Sequence, residues 1–141
     1  MGIDEVVLVF GRYDVLQSIK HQERVRRGLS LESTTASHVI TGNRIVPNYR
    51  TFLKSSGNKA ALSAFVCNYV LEKGPEILLE HQCIVLAGGF QDGQYAVKIS
   101  KKRVANMEEM SSSHEEADTR MVLHAINMSD MSDTPKVNLA L

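Results

Sequence analysis

Neither sign of charge prevails in this chain, where sixteen Lys and Arg stand against sixteen Asp and Glu across 141 residues. Bulk charge therefore gives no pull toward nucleic acid or a membrane, and any such preference must come from local clusters. Cysteine is scarce, with only Cys67 and Cys83. They lie far from any C-x-x-C spacing, which leaves a zinc site unsupported, and both are expected as reduced core residues of an intracellular protein. No apolar run approaches the roughly eighteen residues of a membrane span. The opening Met1-Gly2-Ile3-Asp4-Glu5 lacks the basic flank and cleavage site of a signal peptide. Val6 also stands where a myristoylation signal needs Ser or Thr. What remains is ordinary globular composition, 43% hydrophobic and 23% charged, enough for one domain with a core. The change to Ser, Asp, Thr and Pro after Met128 predicts a domain over 1–128 and a polar tail over 129–141.

Glu5-Val6-Val7-Leu8-Val9-Phe10 is short, β-branched and apolar without alternation, which predicts a strand buried on both faces. Gly11 ends it. Asp14 with Gln17 three residues later is a capping pattern, and a helix is expected from there to Arg27, stopped by Gly28. The far half of that helix carries Lys20, His21, Arg24, Arg26 and Arg27. Such residues suit a helix end as a solvated face, or they contact phosphates. Residues 29–58 are the least regular, with a short strand expected at His38-Val39-Ile40 and turns at Gly42-Asn43 and Pro47-Asn48. A mostly buried helix follows from about Asn58 to Lys73, ended by Gly74-Pro75. Cys83-Ile84-Val85-Leu86-Ala87 predicts a second buried strand. Asp92-Gly93 then predicts a hairpin into Tyr95-Ala96-Val97-Lys98-Ile99. Gly88-Gly89 is no dinucleotide fingerprint, for a third Gly and a following helix are missing. Residues 100–112 are expected as a polar connection. This order predicts an α/β fold with a partly parallel sheet flanked by helices, in which ligands gather at the carboxyl ends of strands.

The most informative segment is Ser113-His114-Glu115-Glu116-Ala117-Asp118-Thr119-Arg120, running into Met121-Val122-Leu123-His124-Ala125-Ile126. Ser113 with Glu116 matches a capping box. Glu115 and Glu116 suit a helix amino terminus, and Glu116 can also pair with Arg120. At about 100° per residue, Ala117, Met121, Val122, Ala125, Ile126 and Met128 share one half-circle of the helix. Asp118 falls in the middle of it. A carboxylate facing a core requires a cation, donors or water, so Asp118 is a candidate metal or catalytic ligand. His114-Glu115 opens like a zinc-protease helix, but Asp118 occupies the place of the second histidine.

Two of these stretches together resemble a known superfamily. Val6 to Asp14 with the basic helix to Arg27, and Ser113-His114-Glu115-Glu116-Ala117-Asp118-Thr119, look like parts of flap-endonuclease-like and PIN-like nuclease domains. The His-Glu-Glu-Ala-Asp-Thr-Arg helix, with Val46-Pro47-Asn48-Tyr49-Arg50-Thr51-Phe52-Leu53 through Asn58-Lys59, is closer still to animal proteins associated with mobile elements. The resemblance spans most of the chain loosely and is specific at 113–124. It implies two-metal phosphodiester hydrolysis with Mg²⁺ or Mn²⁺. Glu116 and Asp118 would be the metal-facing catalytic pair, Asp14 a further acid, and Lys20, Arg24 and Arg27 contacts to a nucleic-acid backbone.

The chain departs from that pattern in two places. Gly11 stands where the first strand of the family ends in an acid, and Asp14 comes three residues later. The later strand with its Asp-rich turn has no equivalent, since Asp130 and Asp133 follow no buried strand; the fold is expected to be incomplete at its carboxyl terminus. Mg²⁺ needs several carboxylate or phosphate oxygens. The sequence thus favours a fragment or degenerate copy of a metal-dependent nuclease-like domain, non-catalytic and weakly binding nucleic acid. Two alternatives stay open: an active nuclease with acids supplied elsewhere, and an interaction domain of unrelated α/β fold.

Overall fold

A computed structural model describes residues 4–12, 39–46, 48–90, 92, 94–113, 117–130 and 139–140. Five strands form one mixed sheet in the order β4-β3-β2-β1-β5. β1 (Glu5–Val9) and β2 (Cys83–Ala87) run parallel, with Val7 beside Val85. β3 (Ala96–Ser100) turns back antiparallel to β2, and β4 (Arg103–Asn106) antiparallel to β3. The α/β class, the partly parallel sheet and the hairpin after Asp92 follow the sequence expectation.

Three helices accompany the sheet among the described residues: α1 (Tyr49–Phe52), α2 (Ser56–Ile77) and α3 (Ala117–Asp130). The Ser55 hydroxyl caps α2 by accepting from the Asn58 backbone N–H at 3.3 Å. Asn58 is itself buried and donates its side-chain amide to the Phe52 carbonyl at 3.2 Å, which fixes α1 to the start of α2. Cys67 from α2 packs with Leu78, Leu86, Val97 and Ile99 on one face of the sheet. On the other face, Leu123 of α3 packs beside Ala87, Ala96 and Met110. The alternation of side chains along β2 and β3 separates the two sets.

Several expectations are corrected. α2 does not end at Gly74-Pro75 but continues through Pro75 to Ile77. Proline removes a helix hydrogen bond and normally ends a helix. Here the β3–β4 turn holds the last turn in place, with Lys102 N–H donating to the Pro75 carbonyl at 3.0 Å and Lys101 Nζ to that of Glu76 at 3.0 Å. The lack of a side chain at Gly74 lets Ile99 approach within 3.0 Å of where a Cβ would stand. Val39 and Ile40 are not in a strand. The polar connection expected over 100–112 contains β4 and a 3₁₀ turn at Glu108–Met110. Of the expected polar tail over 129–141, residues 131–138 and 141 lie outside the described residues. α3 runs to Asp130, and Leu139–Ala140 forms β5, parallel to β1 with Leu139 beside Val7.

That last strand sets the topology. The chain leaves β1 through α2 to reach β2 on one side, and leaves β4 through α3 to reach β5 on the other. The two crossovers lie on opposite faces of the sheet, and ligands in open α/β sheets gather at the carboxyl ends of the strands. No helix among the described residues is long and apolar enough to cross a membrane.

Candidate functional site

The carboxyl end of β1 is built from Phe10, Gly11 and Arg12, and that of β2 from Gly88 and Gly89. Both glycines have positive φ, 78° and 77°, a backbone region where side chains are strained. They serve two different neighbours. A Cβ on Gly88 would meet the Arg120 guanidinium and, at 2.9 Å, the Phe10 carbonyl. One on Gly89 would meet the Cys67 thiol at 2.6 Å and the Phe10 ring at 2.9 Å. The Gly pair is thus a packing device that lets both helices close on the strand ends.

Arg120 projects from α3 into this end of the sheet and is fully buried. Its Nη1 donates to the Phe10 carbonyl and its Nη2 to the Gln94 carbonyl, both at 3.3 Å. Gln94 also accepts from the Ser112 N–H at 3.1 Å. One guanidinium therefore ties the end of β1, the loop before β3 and the approach to α3. A second guanidinium lies nearby, with Arg12 Nη1 donating to the Ser113 carbonyl at 3.2 Å. Among the described residues, two guanidiniums thus bond to backbone carbonyls at the strand ends.

The helix wheel misjudged which side of α3 turns inward. Arg120 and His124 are buried, whereas Asp118, Val122 and Ile126 are exposed. The inward arc is displaced by about a third of a turn from the one that apolar content selects. The physical reason is that hydrogen bonding reverses the ranking: backbone carbonyls accept from both terminal nitrogens of Arg120, while Val122 and Ile126 face outward at modest cost. The expectation of an inward carboxylate at Asp118 is corrected. Glu116, Asp14, Lys20, Arg24 and Arg27 lie outside the described residues, as does the helix expected from Asp14 to Arg27.

A second polar group sits on the same face, toward the amino ends of β1 and β2. The Glu5 carboxylate accepts from Lys98 Nζ at 2.7 Å and from the Cys83 thiol at 2.9 Å. Burial pushes the Glu5 carboxyl up, but the hydrogen bonds from Cys83 and Lys98 and the charge of Lys98 outweigh it, so the group sits below its ordinary range. Burial works against the Lys98 ammonium too, and Glu5 overcomes it, holding that group above its ordinary value. Burial and then Glu5 push the Cys83 thiol up to about 11. Burial alone pushes Cys67 up to about 12. Neither thiol is a nucleophile near neutral pH. His124 is held below its ordinary value by burial and by the Arg120 charge, against an opposing pull from Glu5. Its Nε2 has no hydrogen-bond partner among the described residues.

Glu116 and Asp14, two of the three acids expected to hold a metal, lie outside the described residues. Among the described residues, no group of three or more His, Cys, Asp or Glu side chains is placed to hold a metal ion, and the charges nearest the end of β1 are guanidiniums. The buried Arg120 and His124 escaped the sequence reading because polar residues in a helix are normally assigned outward. Their i, i+4 spacing on one face with Ala117, Met121 and Met128 was the one signal available. Comparison with known proteins adds no constraint: no protein-family model, curated protein or solved structure matches the chain.

Proposed function

We propose that this chain is a degenerate, non-catalytic copy of a PIN-like or flap-endonuclease-like domain that retains weak binding to a nucleic-acid backbone. What supports this reading is that Gly11 and Arg12 stand at the carboxyl end of β1, where the first strand of that superfamily ends in an acid. Two-metal hydrolysis needs clustered carboxylates there. Gly11 and Arg12 follow β1, Arg120 lies beneath, and the Asp118 side chain faces solvent. Of the two guanidiniums, that of Arg12 is partly exposed, and a guanidinium suits phosphate oxygens. With no net charge, affinity is low and falls by about one logarithmic unit per phosphate neutralised for each tenfold rise in salt.

Fluorescence anisotropy with single- and double-stranded oligonucleotides, across a salt series, tests this directly. The expected result is binding at low salt that weakens in Arg12→Ala and is indifferent to Asp118→Asn. Absence of binding at low salt removes the nucleic-acid reading. Cleavage in Mg²⁺ or Mn²⁺ that Asp118→Asn abolishes would instead establish an active nuclease.

A further inference from the structure

We infer that β4 is a dimer edge, pairing antiparallel with β4 of a second copy of this chain across a two-fold axis. β4 ends the described sheet, and Arg103, Val104 and Asn106 are exposed. Met107 N–H donates to the Ala96 carbonyl at 2.9 Å. By the two-residue period of an antiparallel ladder, Arg103, Ala105 and Met107 direct their backbone groups at β3. Val104 and Asn106 direct theirs away from the sheet. That leaves two N–H and two C=O groups in a row, a template for another strand.

The charge pattern selects the occupant. Lys101, Lys102 and Arg103 stand at one end of β4, and Glu108 and Glu109 just past the other. A uniformly basic edge would repel a second copy. Here the sign changes along the strand, so an antiparallel approach brings opposite charges together and a parallel one brings like charges together. With Ala105 on the two-fold axis, Val104 of one copy faces Asn106 of the other, and the Lys101-Lys102 turn of one copy comes toward the Glu108-Glu109 turn of the other. A small residue at the axis allows close approach, and every contact is made twice, as an isologous interface requires.

The neighbouring surface is also suited to cover. A groove of about 600 Å³ runs along this edge, lined by Leu71, Phe90, Tyr95, Val97, Val104 and Asn106 with Asp92. Tyr95 and Val104 are 52% and 48% exposed. Pairing of two β4 strands sets the Val104 side chains of both copies against these grooves.

Sedimentation equilibrium over a concentration series tests the inference. The expected result is a monomer–dimer equilibrium with Kd of about 1–100 μM, as befits a short strand pair. Val104→Pro removes an outward N–H at an edge position that tolerates proline, and abolishes the dimer. Lys102→Glu weakens it about tenfold, and Lys102→Glu with Glu108→Lys restores it, which serves as the decisive arm if the proline variant folds poorly. A wild-type chain that stays monomeric overturns the inference, whether the edge is then bare or taken by a different protein. A dimer indifferent to both changes, or a double variant no better than Lys102→Glu, overturns it as well.

Discussion

The two faces of the sheet are held by different physics. Under α2 the contact is apolar throughout: Cys67, Leu78, Leu86, Val97 and Ile99, with Val70 and Leu71 packed around them. Under α3 the apolar set is Val7, Val9, Val85, Ala87, Ala96, Met110 and Leu123. Charged and polar groups share that face, from Arg120 at the carboxyl ends of the strands to Glu5, Lys98 and Cys83 at the amino ends. The first face is stabilised by area removed from water. The second depends on whether each buried polar group finds its partner, a requirement that fixes orientation more sharply than apolar contact does.

The largest expected effect is on the apolar face. Leu86 is fully buried in the centre of its cluster. Leu86→Ala costs about 3–4 kcal/mol in urea denaturation, from lost transfer energy plus a cavity. A loss under about 1 kcal/mol would mean that the face under α2 is loosely packed. Next comes Gly88→Ala at the junction of the two faces. A methyl group there meets the Phe10 carbonyl at 2.9 Å, on a backbone with φ of 78°. The expected loss is about 2–3 kcal/mol from strain and displacement of Arg120. Full stability in this variant would show that the guanidinium does not pack against the strand end.

The smallest effect, and the most selective for the polar face, is pH dependence. His124 is held below its ordinary value in the folded protein. The unfolded chain therefore binds its proton first, so the stability from neutral His124 is complete above about 6.5 and is lost as pH falls through the lower folded value. Glu5 is also depressed; its contribution is complete above about 4.3 and is lost at still lower pH. Lys98 is raised, so its contribution is complete below about 10.4 and disappears as pH rises through the folded value. Denaturation midpoints measured from pH 4 to pH 11 should fall at both ends. His124→Phe should flatten the segment just below about pH 6.5 and leave the alkaline limb unchanged. An unchanged acid limb in that variant would remove His124 from the account.

The two faces were not equally legible in the sequence. The apolar runs at Glu5–Val9 and Cys83–Ala87 announce buried strands, and both are present, parallel and adjacent. The hairpin signal at Asp92-Gly93 leads into β3. These features are local, and local pattern reports them. β4 was hidden because Arg103-Val104-Ala105-Asn106 is an edge strand with little to bury. The passage of α2 through Pro75 depends on bonds from a turn 25 residues away. β5 gains its partner only when the chain returns beside β1. The inward side of α3 was misread for a related reason. A wheel counts apolar residues, whereas Arg120 is drawn in by the carbonyls of Phe10 and Gln94, which no pattern within the helix records.

Which side of α3 meets the sheet is the question on which the place of Arg120 at the strand ends depends, and a pair of isolated substitutions answers it. Asp118→Leu and Arg120→Leu each replace a charged side chain with the same good helix former, so propensity largely cancels. Urea denaturation should show Asp118→Leu within about 0.5 kcal/mol of the parent, as for an exposed site. Arg120→Leu should lose at least about 2 kcal/mol, because the Phe10 carbonyl loses its guanidinium donor and the Gln94 carbonyl keeps only that of Ser112. The reverse order, with Asp118→Leu the more damaging, would put the carboxylate inside and contradict the account.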